Sequence, residues 1–467
     1  MPGSSLKFGT SGLRGLASEL EGQAARRYTS AFLKHLATLG QDGGGRVFVA
    51  RDFRPSSAAI ANDCALAIDA AGLQPVDCGA IPTPALALHA MAAGCAAIMV
   101  TGSHIPADRN GLKFYLPSGE ISKEDEAGIM AALADGAVAD RPVTSQDEAA
   151  AAYERYFRRY AGLLPEGRLA GWRIGVFEHS TVARDMLGQL LRHFGAETVS
   201  LGRIDGFVPV DTEAFGDAVL APLAGWVQEH GLDALVSADG DGDRPLLMDR
   251  QGNFVRGDVL GLITARYLGA QSVVTPVTSN SGIERSGSFS RVVRTRVGSP
   301  YVVAAMAEAP GAVIGFEANG GTLVGQGVSA AGVALPPLAT RDAVLPLLCV
   351  LGLAAGKDMP IDALVRTLPL QHALADRLQN VPSDKSAAFL QRLGNDADYA
   401  AALFAPHGIA ELSQIDGMQF RTSSGDMVHF RASGNAPELR CYVEGSTPDV
   451  AQQLLAWGLA VAAREVS

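Results

Sequence analysis

Cysteine is scarce in this chain of 467 residues: Cys64, Cys78, Cys95, Cys349 and Cys441 lie scattered, and no two form a C-x-x-C pair. A zinc ribbon or a disulfide framework needs regularly spaced thiols, so these five are read as reduced thiols in apolar segments. Long apolar runs are missing as well. No stretch reaches the roughly 18 uninterrupted apolar residues that suggest a membrane-crossing helix. The N-terminus lacks the basic region followed by an apolar run that marks a secretory signal. A cytoplasmic protein without a membrane partner is expected. Positive charge is also in short supply, with 38 Lys and Arg against 49 Asp and Glu and a formal net charge of -11. That balance disfavours nucleic acid as a partner, while leaving room for a local basic pocket around a phosphate.

What is present fits a globular chain: 48% hydrophobic and 19% charged residues argue against disorder. Single cores stop growing at roughly 250 to 300 residues, so three or four domains are expected. The chemistry gathers first in Ala96 to Tyr115, AAIMVTGSHIPADRNGLKFY. The apolar run Ala96 to Val100 reads as a buried strand that leads directly into Thr101-Gly102-Ser103-His104. Pro106, Asn110 and Gly111 mark a loop, and Lys113 follows in a second extended piece. Open α/β sheets place their chemistry at such strand ends. An ordinary turn built on Thr-Gly-Ser is the plain alternative. An esterase-type serine is disfavoured, because Ile105 stands where G-x-S-x-G needs its second glycine.

A second signal is Asp239-Gly240-Asp241-Gly242-Asp243-Arg244, after a strand read over Asp233 to Ser237. Three carboxylates spaced by two in a glycine-rich loop can converge on one cation, since neighbouring anions repel unless a metal lies between them; a purely structural acidic loop is the plain alternative. The loop is not an EF-hand: counted from Asp239, the sixth position holds Arg244 where glycine is required, and the twelfth holds Arg250 where glutamate is required. Two further loops suit a sugar phosphate. Glu317, the carboxylate that ends an apolar strand read over Ala312 to Glu317, and Asn319 in the loop after it offer acceptors for hydroxyls. Arg431-Ala432-Ser433-Gly434-Asn435, with Arg440 beyond, offers backbone amides, a hydroxyl and charge for an anion. Lys7 to Gly15, KFGTSGLRG, is a glycine-lined loop that lets Arg14 approach an anion closely.

Taken together these motifs resemble those of the α-D-phosphohexomutases, and the resemblance spans nearly the whole chain. T-G-S-H-x-P-x-x-x-N-G-x-K is similar to the family's phosphoserine loop, D-G-D-G-D-R to its magnesium loop, and F-G-T-S-G-L-R-G to its opening motif. R-x-S-G-T-x-P, the family's phosphate loop, is matched with Asn435 in place of threonine. The sugar loop G-E-x-S-G departs further, with Asn319 for serine and Gly321 where many members carry histidine. Arg51 to Arg54 resembles a structural R-D-x-R, and RTRVGSP (Arg294 to Pro300) more loosely a substrate-facing loop.

The resemblance implies an α/β fold of four domains, three related α/β mixed-sheet units plus a C-terminal α+β domain around a central cleft. We place them at 1–150, 151–255, 256–370 and 371–467, carrying the phosphoserine, the metal, the sugar loop and the phosphate loop in turn. It implies catalytic roles for Ser103, Lys113, Arg14, His104 and Arg244, with Lys113 as general base if burial lowers its pKa and His104 as the alternative. Mg²⁺ would be held by Asp239, Asp241, Asp243 and a phosphoserine oxygen at Ser103. Substrate would be held by Glu317, Asn319, Gly320, Arg431, Ser433, Gly434, Asn435 and Arg440. The expected activity is interconversion of hexose 1- and 6-phosphates, mannose foremost and glucose next, through a hexose 1,6-bisphosphate that also serves as activator. A magnesium-dependent sugar phosphatase, a non-catalytic sugar-phosphate sensor and a phosphoglucosamine mutase are the alternatives. A monomer or weak dimer is expected.

Local readings complete the set. Helices are expected over Ser57 to Ala71, over the acidic, alanine-rich stretch from Lys123 to Tyr160, and through Arg192 with Ser180 as cap. The first region reads as a parallel sheet with crossover helices. After residue 370, hairpin signals at Asp416-Gly417 and Ser424-Gly425 predict an antiparallel meander closed by a helix over Pro448 to Ala463.

Overall fold

The computed structural model describes residues 4–9, 12–41, 43–134, 136–212, 217–433 and 437–466. Three of its sheets share one plan, and that plan positions the chemistry. In the first sheet the strands Gln74–Ala80, Arg46–Arg51 and Ala96–Val100 run parallel, and Ala96–Val100 then returns as the antiparallel Arg109–Leu116. The second sheet orders Glu197–Leu201, Arg173–Phe177 and Ala234–Ala238 in parallel, with Pro245–Asp249 as the antiparallel return. The third does the same with Arg291–Thr295, Ser272–Pro276 and Val313–Phe316, followed by Thr322–Val324 and Leu338–Asp342. Each innermost parallel strand is fully buried. Strands covered on both faces are continuous apolar runs, which is why AAIMV, ALVSA and VIGF stand out in the sequence. The serine, aspartate and glutamate loops therefore occupy the same place in three repeated units.

One hydrophobic core runs through all three units, from Phe48 to Leu368. The C-terminal unit has its own, from Val381 to Val466. Its five strands form an antiparallel sheet ordered His372–Gln379, Glu438–Gly445, Met427–Ala432, Met418–Arg421, Glu411–Ser413, backed by the helix Pro448–Glu465. Thr447 caps that helix by accepting Val450 N–H at 3.2 Å. The meander and closing helix match expectation. The edge strand His372–Gln379 was not anticipated, because its side chains are mostly exposed and HALADRLQ lacks a clean two-residue alternation.

The first sheet is mixed, as the expected mixed-sheet units require: antiparallel strands Leu13–Leu16 and Arg109–Leu116 extend the parallel part read from the sequence. Two local expectations are corrected. The stretch from Lys123 to Tyr160 is two helices, Lys123–Ala132 and Ala149–Ala161. Gly136 and Pro142 break the run between them, and Gln146–Asp147 joins the first sheet. Ser180 does not cap a helix; its hydroxyl pairs with Val208 N and O, and the helix begins only at Arg184. All five cysteines are buried and unbonded to one another. No described helix is long and apolar enough to cross a membrane.

Candidate active site

Ser103 sits in the left-handed region at φ 52° and is 1% exposed. A non-glycine residue in that conformation costs about 1–3 kcal/mol unless its surroundings enforce it. Here they do. Ser103 N–H donates to Thr101 Oγ1 at 2.8 Å, and Thr101 Oγ1 donates to Asp52 Oδ2 at 2.7 Å. Arg54, fully buried as a side chain, pairs with Asp52 and donates to the carbonyls of Ser103, Ile105, Pro106 and Arg109 at 2.6–3.0 Å. The R-D-x-R run is thus the brace of the serine loop. Arg54→Lys, which keeps charge and loses the planar fork, is expected to destabilise the first unit by about 3 kcal/mol. Loosening the loop should also slow turnover about 100-fold. Thermal melts and steady-state rates on that variant check both.

The brace aims the hydroxyl at the second unit: Ser103 Oγ donates to Asp239 Oδ2 at 2.6 Å. Asp239, Asp241 and Asp243 are each 0% exposed. A carboxylate oxygen from each lies within 4.8 Å of the others. Gly242, at φ 73°, supplies the turn that folds them together. Lys113 Nζ bridges Asp241 Oδ2 and Asp243 Oδ2 at 2.6 and 2.7 Å. Thr83 Oγ1 also donates to Asp241 Oδ2 at 2.6 Å. Asp241 Oδ1 and Asp243 Oδ1 remain buried without a hydrogen-bond partner. Hard oxygens left orphaned at this spacing fit a small divalent cation.

The electrostatics separate these groups. Burial, reinforced by the charges of Asp241 and Asp243, pushes the Asp239 carboxyl well above the usual range. Burial opposes ionisation of Asp243 too, but Arg341, Lys113 and Arg244 outweigh it and hold that carboxyl below the usual range. Burial would lower Lys113, yet Asp241 and Asp243 raise it overall. The lowering of its pKa on which a general-base role for Lys113 depends is opposed here by these two carboxylates. His104 is driven down to about 2 by burial and by Arg244 and Arg14, so its ring is neutral. Its Nδ1 faces Arg244 Nη1 at 3.1 Å and Ser103 Oγ at 3.3 Å. Arg14 is lowered to about 10 by burial and by its neighbours Arg244 and Arg341.

The third unit closes the group. Glu317 is 5% exposed and accepts from Arg341 Nη1 at 3.0 Å. Arg341 reaches across to Asp243 through Nε and Nη2 at 3.1 and 2.9 Å. Asn319 turns its Oδ1 onto Gly321 N–H at 2.9 Å. Gly320, at φ 85°, packs against Gly257, where a Cβ would stand 2.2 Å from Gly320 N. Ser103, His104, Lys113, the three aspartates, Arg244 and Glu317 therefore form one connected cluster. Arg431 pairs with Asp416 at 2.7 Å and Arg440 with Glu438 at 3.3 Å, both within the C-terminal unit. Ser433 N–H bonds Glu438 O at 2.9 Å. Gly434 and Asn435 lie outside the described residues, as do Thr10 and Ser11 of the opening motif. Sequence reading missed Arg341 and Thr83. The signal for Arg341 was a lone arginine–aspartate pair closing the strand Leu338–Asp342.

Two histidines outside this cluster set an acid limit. Burial pushes His179 and His429 down to about 4 each. Each donates Nε2–H to a carbonyl, of Ala238 and Asp416 respectively. Both are neutral in the fold, whereas in the unfolded chain they take up protons near pH 6.5. Their contribution is present above about pH 6.5 and is lost as pH falls towards about 4. The expected slope is up to ~1.4 kcal/mol per pH unit for each. Denaturant midpoints between pH 7 and 4 should fall accordingly, and His429→Gln should flatten the curve.

Comparison with known proteins places this geometry. The profile of phosphoglucomutase/phosphomannomutase alpha/beta/alpha domain I matches residues 5–138, and that of domain III matches residues 256–371. The chain is similar to a phosphomannomutase of Sinorhizobium fredii, 49% identical over 97% of this chain and 98% of that protein. It is similar to a phosphomannomutase of Salmonella muenchen, 41% identical over 96% and 93%. A phosphoglucomutase/phosphomannomutase family protein of Burkholderia thailandensis shares the fold, with a TM-score of 0.78 at 20% identity over 98% of this chain and 97% of that one.

Proposed function

This chain belongs to the α-D-phosphohexomutase superfamily and is an intramolecular phosphotransferase on hexose phosphates, and we propose that Ser103 carries the transferred phosphoryl group and that mannose phosphate is the preferred substrate. One observation carries the assignment: a buried, conformationally braced serine hydroxyl points at 2.6 Å into a triad of buried aspartates. The names of the two relatives support mannose.

In this reading Asp239, Asp241 and Asp243, with an oxygen of the phosphorylated Ser103, would hold Mg²⁺. When bound, the cation neutralises charge on the phosphoryl oxygens. The chain's own groups do the rest. Arg14, His104 and Arg244 surround the phosphoryl group, with Lys113 as a hydrogen-bond donor. The phosphorus–Oγ bond of phosphoserine breaks as a bond forms to the free 1- or 6-hydroxyl. The hydroxyl's proton is balanced by the one Ser103 Oγ takes up, so the transfer consumes no net proton. Glu317, with Asn319 and Gly320 in its loop, receives the sugar hydroxyls. Arg431, Ser433, Gly434, Asn435 and Arg440 hold the distal phosphate. The bisphosphate turns end for end, and the second transfer regenerates phosphoserine. Hexose 1,6-bisphosphate accordingly activates unphosphorylated enzyme.

We place the domain boundaries near residues 150, 255 and 370, and read the protein as cytoplasmic and a monomer or weak dimer. The test is a side-by-side assay with Mg²⁺ and trace hexose 1,6-bisphosphate on mannose 1-phosphate, glucose 1-phosphate and glucosamine 6-phosphate. Isomerisation fastest for mannose, without release of inorganic phosphate, is expected. Stoichiometric phosphate release would instead make the site a phosphatase, and fastest turnover of glucosamine 6-phosphate would reassign the sugar.

A further inference from the structure

Arg341 is among the largest fully buried side chains, and none of the motifs contains it. Its guanidinium spans two loops from different units. Nε and Nη2 donate to Asp243 Oδ2 at 3.1 and 2.9 Å, while Nη1 donates to Glu317 Oε2 at 3.0 Å and to Ser299 Oγ at 3.2 Å. The backbone behind it is fixed, because Asp342 accepts from the hydroxyls of Tyr156 and Tyr160 on the helix Ala149–Ala161. The sugar loop is fitted to its stem. A Cβ on Gly321 would lie 2.7 Å from Arg341 Cδ and 2.8 Å from Cγ. Only glycine at 321 leaves the arginine this path.

A planar fork shared between two carboxylates divides its charge between them. Whatever draws on Asp243 strengthens the hold of Arg341 on Glu317. Glu317 Oε1, opposite the bonded oxygen, makes no hydrogen bond to another described residue. We propose that Arg341 is a positioning residue that couples the metal loop to the sugar loop, so that a divalent cation on Asp243 tightens binding of the sugar moiety and the sugar tightens binding of the cation. The two effects are equal by linkage. The inference rests on the reading of the aspartates as cation ligands and Glu317 as hydroxyl acceptor. It differs from simple attraction between cation and phosphate, which acts on inorganic phosphate as well, because coupling through Arg341 requires sugar hydroxyls.

Calorimetric titration of the full chain with Mg²⁺ separates these terms. It is run alone, with saturating inorganic phosphate, and with mannose 1- and 6-phosphate at their equilibrium ratio. In the wild type, the hexose phosphates should tighten Mg²⁺ about tenfold more than inorganic phosphate does. Arg341→Lys keeps the charge and loses the fork, while Gly321→Ala keeps the arginine and displaces its stem. In both, the tenfold excess should shrink to about twofold or less. If one variant fails to fold, the other decides. An excess that survives substitution, or is absent from the wild type, overturns the coupling while leaving the cation site standing. Failure of the wild type to bind Mg²⁺ at all overturns the reading of the aspartates, and the coupling with it.

Discussion

Replacing Ser103 with alanine is expected to abolish isomerisation, with a loss of at least about 10⁴-fold, because in the proposed mechanism it removes the covalent nucleophile. The size follows from the site's construction. Ser103 is fixed at one point: its left-handed backbone is held by Thr101, Asp52 and Arg54, and Oγ faces Asp239. His104 does not substitute, since its ring is held neutral and far below ordinary basicity. Lys113 does not substitute either, since its Nζ is engaged by Asp241 and Asp243 at 2.6 and 2.7 Å. The fold should survive, because alanine removes one hydroxyl from a loop braced by other residues. Steady-state rates with added hexose 1,6-bisphosphate, alongside circular dichroism, check both halves. Near-wild-type turnover in this variant would end the phosphoserine account.

The aspartates supply the second large effect, and they divide in an informative way. Asp239→Asn and Asp243→Asn are both expected to lower turnover by about 10³-fold or more, since each removes a charge from the cation site. Stability should separate them. Asp243 compensates two buried cations, Lys113 at 2.7 Å and Arg341 at 2.9 Å. Removing its charge leaves both short of a partner, at a cost of about 3–5 kcal/mol. Asp239 is the carboxyl that burial and its acidic neighbours push upward. A neutral amide relieves that repulsion and can still accept from the N–H groups of Asp243 and Arg244, each now at 3.1 Å. Metal-free Asp239→Asn should therefore melt close to the wild type, while metal-free Asp243→Asn melts roughly 5 °C or more lower. Equal melting of the two would mean that the cluster's charges are not arranged as described.

The parts of the site readable beforehand were those whose chemistry is local. A buried parallel strand is a continuous apolar run, so AAIMV announced where Ser103 would stand, and alternating aspartate and glycine announced a cation loop. Features that depend on distant neighbours were not readable. Arg341 belongs to the site only because its strand returns beside the aspartate loop. The elevated Lys113 follows from two carboxylates that lie 128 and 130 positions away in the chain. The edge strand His372–Gln379 is polar and exposed, so it exists by pairing with Glu438–Gly445 and not by any pattern of its own. The break after Ala132 was visible in Gly136 and Pro142, but alanine and acidic content on either side masked it.

The central claim is that phosphate passes through Ser103. The most direct measurement is to incubate the enzyme and Mg²⁺ with hexose 1,6-bisphosphate carrying radioactive phosphorus, then digest it and map the label. The account predicts one labelled peptide, modified at Ser103, whose label transfers to unlabelled mannose 6-phosphate when that is added. Label on another residue, or label lost as inorganic phosphate with none recovered in the sugar, would contradict it.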